Sequence, residues 1–186
     1  MNQLSQLTII IPTYNRPDYA IRQFKYWGKY PVIVHILDGS DKPLNIKNDD
    51  KYKQNCFYPH LPITIEERFS YAIKLIKTEY SCLLSDDELF LPESLNSCIL
   101  EIETNNLICC KGRAIEIDFS KKFRSILAFH RYKEFYNYSI LNSSSEERLQ
   151  SHMSNYAMVC LWSVMRSDIL KLCLKTVAEI GPLSTC

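Results

Sequence analysis

The chain has 186 residues, 46% of them apolar and 23% charged, which are values of a core-forming globular chain and exclude general disorder. Lys and Arg number 22 against 21 Asp and Glu, leaving a net charge of +1. That balance argues against a dedicated nucleic-acid binder and a polybasic membrane anchor, and the length suits one core better than two.

Residues 7–12 form a continuous apolar, β-branched run, the pattern of a strand covered on both faces. Asn15, Arg16 and Pro17 then read as a helix start, with Pro where a missing N–H costs nothing. Ala20, Phe24 and Trp27 share one face of that helix, and Gly28 ends it. Residues 32–37 predict a second strand that stops at the turn Asp38-Gly39-Ser40-Asp41. The polar stretch 42–60 reads as a loop. Thr64 and Glu67 have the spacing of a capping box, ahead of a helix carrying Phe69, Ala72, Ile73 and Ile76 on one face.

Residues 80–85 predict a third strand, which runs into Asp86-Asp87-Glu88. Pro92 opens a helix with Leu95, Cys98, Ile99 and Ile102 on one side. Strands follow at 107–110 and 113–119, the latter half exposed because Ile115, Ile117 and Phe119 alternate with Glu116 and Asp118. Further on, Ser144 and Glu147 suggest a second capping box and a short helix to about His152. A strand is expected at 157–162 and a helix at 169–177. Strands alternating with helices predict an α/β fold with a doubly wound, mostly parallel sheet flanked by helices. Such sheets bind ligands beyond the carboxyl ends of their strands, where the strand order reverses.

Eight Cys show no CxxC spacing and fall mostly in apolar runs, and no leading export signal or spanning run is seen. The expectation is a cytoplasmic protein with reduced thiols. Four His show no metal-ligand spacing, and His35 inside a strand reads as packed. The three adjacent acids repel one another, so they are either fully solvated or hold a cation. Hard cations such as Mg²⁺ and Mn²⁺ take such oxygen ligands.

The stretches LTIIIPTYNRP, VHILDGSD, EERFSYAIKLIKTEY and CLLSDDELFLPESL, in this order over about residues 7–100, resemble the family 2 glycosyltransferases, which have a GT-A fold. The resemblance implies transfer of a sugar from a nucleotide-diphosphate sugar to a glycan or lipid-linked acceptor in polysaccharide biosynthesis, with Mn²⁺ or Mg²⁺ as cofactor. It implies one domain, with 1–119 as the nucleotide-sugar-binding half and 120–186 as a partial acceptor-side half. Pro12, Thr13 and Tyr14 would cradle the base with Arg16 beside them, Asp38 would accept a hydrogen bond from the base, and Arg68 would approach the diphosphate. Asp86 would contact the ribose, and Asp87 with Glu88 the metal. The enzyme would work in the cytoplasm or at the inner face of a membrane.

Beyond Arg166 only Asp168 and Glu179 remain as acids, so Glu179 is the weak candidate for a catalytic base. A shortened family member, binding nucleotide and metal with weak or absent transfer, is therefore expected. Two alternatives stand beside it. One is a nucleotide-binding pseudoenzyme. The other is a nucleic-acid-binding module using Lys111, Arg113, Lys121, Lys122, Arg124, Arg131 and Lys133 interleaved with Phe119, Phe123, Phe129 and Tyr132. Near-neutral charge makes nucleic acid an unexpected partner. Tyr14 as a rim residue, Asp38 as a turn former and Arg68 as a solvated charge are the structural readings of the same residues.

Overall fold

A computed structural model describes residues 3–44, 55–120, 125–131, 138–154, 156 and 162–180. They group into two compact units, 1–110 with 161–186, and 111–160.

The first unit is built on a six-stranded sheet. Its strands are β1 (Leu7–Thr13), β2 (Ile33–Asp38), β3 (Cys56–Phe57), β4 (Tyr80–Leu83), β5 (Cys109–Cys110) and, late in the chain, β8 (Val164–Arg166). The order across the sheet is β3-β2-β1-β4-β8-β5. The first four strands run parallel, with Ile9 opposite Val34 and Cys82, while β8 is antiparallel to both its neighbours. This is the α/β architecture expected, with a mixed, mostly parallel sheet.

Four helices cover the sheet: α1 (Pro17–Trp27), α2 (Ile65–Leu75), α3 (Pro92–Thr104) and α5 (Ser167–Ile180). The reason for the unbroken apolar run in β1 is visible in its neighbours. Ile9 and Ile11 pack with Ala20 and Trp27 of α1 and with Leu95 and Ile99 of α3. Ile10 points the other way, to Ala72 of α2 and to Leu170 and Leu174 of α5. Successive strand residues thus serve two separate apolar cores. The capping box of α2 is present: Glu67 N donates to Thr64 Oγ1, and Thr64 N donates to Glu67 Oε2 at 3.0 Å.

Two sequence expectations change. The stretch 42–60 contains β3, because Asn55 Nδ2 donates to Val32 O at 2.9 Å and Cys56 enters the core beside Val34; residues 45–54 lie outside the described residues. Of the strand expected at 157–162, residues 157–161 lie outside the described residues, Trp162 is not in a strand, and β8 begins two residues beyond it at Val164.

The second unit holds the antiparallel hairpin β6 (Ala114–Ser120) with β7 (Ser125–Arg131), and α4 (Ser145–Ser154). Among the described residues, the strand expected to be half exposed pairs with β7 alone, and Glu116 and Ile117, on opposite faces, are both exposed. At α4, Ser144 Oγ accepts from Glu147 N at 3.1 Å, one half of the expected box. Arg131 pairs with Glu116 at 2.5 Å, while Lys121, Lys122, Phe123, Arg124, Tyr132 and Lys133 of the basic strip lie outside the described residues. No described helix is long and apolar enough to cross a membrane.

Candidate functional site

The strand order reverses between β1 and β4, since β2 and β3 lie on one side of that pair and β8 and β5 on the other. Such a switch point opens a crevice at the carboxyl ends of the strands. Here Thr13, the last residue of β1, donates its hydroxyl to Asp86 Oδ2 at 2.6 Å, closing the floor of that crevice. Asp86 is 5% exposed at its side chain. Its other oxygen, Oδ1, accepts from Arg16 Nη1 at 2.6 Å, and the same nitrogen reaches Asp87 Oδ2 at 3.1 Å. These two carboxylates hold the Arg16 proton more firmly than usual, mainly through the Asp86 hydrogen bond. Glu88 is exposed, next in the turn.

Helix α1 fixes the backbone of this acid turn. The Asp86 carbonyl accepts from Gln23 Nε2 at 2.8 Å and from Arg22 Nη2 at 3.0 Å, and Gln23 also donates to the Glu88 carbonyl at 2.7 Å. Gln23 is itself held by Trp27 Nε1, which donates to its Oε1 at 2.8 Å. The sequence reading passed over Gln23 and Arg22. The available signal was a Gln one turn from Ala20 and Trp27, an amide facing the apolar side of an amphipathic helix.

Asp38 ends β2 and is 1% exposed. Its Oδ1 accepts from the backbone N–H and the hydroxyl of Ser40, and its Oδ2 accepts from the Tyr58 hydroxyl. The carboxylate expected to meet a base is buried and shapes the loop after β2. Burial, reinforced by Asp38, pushes the Tyr58 phenol up. Ser40 Oγ in turn accepts from Asn15 N at 2.7 Å, and Asn15 takes a left-handed backbone with φ 53°, which Asn tolerates. Asn15, Pro17, Ser40, Lys42 and Leu44 line an open cleft of about 460 Å³. Tyr14 stands beside this loop, 53% exposed, and Pro12 is half buried one residue before Thr13.

Arg68 is also buried. It is 7% exposed, and its Nη1 donates to the carbonyls of Thr13 at 2.8 Å and Leu37 at 3.1 Å, tying the ends of β1 and β2 together. Burial lowers its pKa, opposed by Asp38. Its Nε has no hydrogen-bond partner among the described residues. Gly39 makes room for it, because a Cβ there would lie 2.6 Å from Arg68 Cζ.

The structure therefore gathers Thr13, Arg16 and the Asp86–Asp87 pair, with Arg68 on the Thr13 carbonyl and Asp38 opposite Thr13 in β2. Glu179 stands apart, paired with Lys175 at 3.6 Å along α5 with both side chains exposed. Arg166 lies at the opposite end of β4, facing Tyr80, where its Nε donates to Leu107 O at 3.0 Å. Asp168 follows two residues later, exposed at the start of α5.

No protein-family model matches the chain, and no curated protein does. Among solved structures the fold is similar to residues 1–349 of TarS from S. aureus, with a TM-score of 0.58, 16% identity and coverage of 89% of this chain. The chain spans 48% of that structure's length. A second TarS structure aligns at a TM-score of 0.46 and 19% identity, covering 55% of this chain and 20% of that one. The bifunctional IspDF of Campylobacter jejuni aligns at 0.44 and 12%, covering 94% and 47%. The chain shares the α/β fold of TarS residues 1–349.

Proposed function

We propose that this chain binds a nucleotide-diphosphate sugar at the β1–β4 switch point and serves its transfer to a glycan or lipid-linked acceptor. The observation that carries this reading is the Thr13–Asp86–Arg16 set, built across the one reversal of strand order where an open α/β sheet offers a crevice. The 40–44 loop and Tyr14 supply a cleft wall and an exposed ring for a base. Asp38 and Arg68 act by fixing that loop and the strand ends, so the base meets the loop they shape.

Asp86 Oδ1 and Asp87 Oδ2 converge on one point, and that point already seats a cationic nitrogen. The pair therefore fits Mn²⁺ or Mg²⁺, which bind through one or two carboxylates with the remaining positions left to phosphate and water. Asp87 would hold the ion as expected, joined by Asp86, which the sequence resemblance assigns to the ribose, while Glu88 is adjacent. Among the described residues no three His, Cys, Asp or Glu side chains converge. When bound, the ion supplies charge neutralisation for the leaving nucleoside diphosphate. The chain's own part is to hold the Asp86 carboxylate through Thr13, and the backbone of the acid turn through Gln23 and Arg22, before any ligand arrives.

A second reading, nucleotide binding without turnover, is favoured by the placement of the later acids. Glu179 is engaged with Lys175, and Asp168 begins a helix beside the amino end of β4. Calorimetric titration of UDP, GDP, CDP and dTDP, with and without Mn²⁺, tests the shared core of both readings. Binding of at least one nucleoside diphosphate is expected. Failure of all four, with salt-sensitive oligonucleotide binding instead, would move the chain to the nucleic-acid class. Robust sugar transfer abolished in Glu179→Gln would remove the second reading.

A further inference from the structure

The Asp86–Asp87 pair is not empty of charge. One nitrogen, Arg16 Nη1, bonds both carboxylates at 2.6 and 3.1 Å. Asp86 Oδ2 is committed to the Thr13 hydroxyl, so Oδ1 is the oxygen left to face a cation, and Arg16 has it. A dication drawing on Oδ1 and on Asp87 needs the position that the guanidinium fills. Like charges a few ångströms apart repel, so the two do not share it.

Which partner can leave is decided by burial and tethering. Asp86 is 5% exposed and its backbone carbonyl is gripped by Gln23 and Arg22, whereas the Arg16 side chain is 45% exposed. Arg16 sits just before α1, and its side chain caps nothing. Its Cζ also lies 4.9 Å from the centre of the Tyr19 ring, a contact that needs neither carboxylate. Arg22 stacks on the same ring at 4.8 Å while holding the Asp86 carbonyl, so the turn stays braced if Arg16 moves. Arg68, by contrast, is locked on two buried carbonyls.

We propose that Arg16 is an exchangeable counter-cation. It neutralises the acid turn in the empty site, a divalent cation displaces it from Asp86 and Asp87, and the freed guanidinium turns to the diphosphate. The inference rests on the nucleotide-diphosphate reading of this site and specifies how the site is regulated. It makes metal and guanidinium competitors before the nucleotide binds and collaborators afterwards.

The test uses the whole chain with Arg16→Gln, which removes the charge at an exposed position; the melting temperature verifies that the fold is kept. Mn²⁺ binding is first measured without nucleotide, from the free-ion signal in electron paramagnetic resonance. The variant is expected to bind Mn²⁺ about tenfold more tightly, since a competing charge is gone. The tightest-binding nucleoside diphosphate is then titrated at saturating Mn²⁺, where the variant is expected to bind about tenfold more weakly for loss of one charge-assisted contact. Opposite movement of the two affinities is the signature of exchange. A purely structural Arg16 would weaken both, and an Arg16 that only meets phosphate would leave the Mn²⁺ affinity unchanged; either result overturns the proposal. So does the absence of Mn²⁺ binding in both proteins. If the wild-type chain binds no nucleoside diphosphate under any condition, the functional reading itself fails. Normal nucleotide binding with an unmoved Mn²⁺ affinity removes only the exchange.

Discussion

The two ends of the parallel strands use similar residues to different effect. At the amino end, Arg166 lies 3.9 Å from Glu79, which is more than half exposed, and the Thr8 and Thr78 hydroxyls share a hydrogen bond at 2.6 Å. At the carboxyl end, Thr13, Asp86, Asp38 and Arg68 are all buried, and their hydrogen bonds join β1, β2, α1 and the acid turn. Exposed charges are screened and contribute little, whereas buried ones must be matched group by group or become costly. The amino end closes the fold, and the carboxyl end holds buried polar groups in fixed positions. That arrangement suits a preorganised site.

The contrast is tested most severely at Gln23. Gln23→Ala removes donors to two carbonyls and strands the Trp27 indole N–H in the core. A loss of about 2–4 kcal/mol in urea denaturation is expected, at about 1–3 kcal/mol per buried group left unpaired. A change under 1 kcal/mol would mean that the acid turn is not held by α1.

Gly39→Ala comes next. The new methyl meets a guanidinium pinned by two backbone carbonyls, so Arg68 must shift or its bonds lengthen. An expected cost of about 1–2 kcal/mol should be accompanied by weaker nucleoside diphosphate binding, because the strand ends move with Arg68. Lost stability with unchanged binding would confine Arg68 to the fold.

His35 supplies a reference between the two ends. It is buried in β2 and stacked on Phe57 at 5.0 Å, and burial lowers its pKa from 6.5. The folded state therefore binds this proton less readily than the unfolded state. The contribution is complete above pH 6.5 and is lost as pH falls below that value. Urea midpoints at pH 7 and pH 5 should show acid destabilisation that His35→Phe reduces. An unchanged pH dependence in the variant would assign the effect to other groups.

The smallest effect belongs to the amino end. Arg166→Ala removes a long, partly screened ion pair, one bond to Leu107 and a long exposed one to Asn106, for an expected cost of about 1 kcal/mol. If it costs more than Gln23→Ala, the ranking of the two ends is reversed.

Much of this architecture could be read locally. The run in β1, the capping box at Thr64 and Glu67, Pro at the start of α1 and α3, and the acid turn after β4 all follow from periodicity and turn chemistry within a few residues. The short strand β3 was not legible, because two residues carry no period and Cys56 becomes a strand only by pairing with Val34.

The sequence alone placed the ends of β1, β2 and β4 to within two residues, expected at 12, 37 and 85 and found at Thr13, Asp38 and Leu83, since strand length and turn signals are short-range properties. Their orientation was decided by tertiary structure. Asp38 looks inward because Tyr58 and Ser40 donate to both its oxygens, and Arg68 because Gly39 leaves space above the carbonyls of Thr13 and Leu37. Arg16 rests between Asp86 and Asp87 only because the strand order brings together groups 70 residues apart. A charged side chain has no preferred partner until folding sets which opposite charges lie within reach and how much water lies between them.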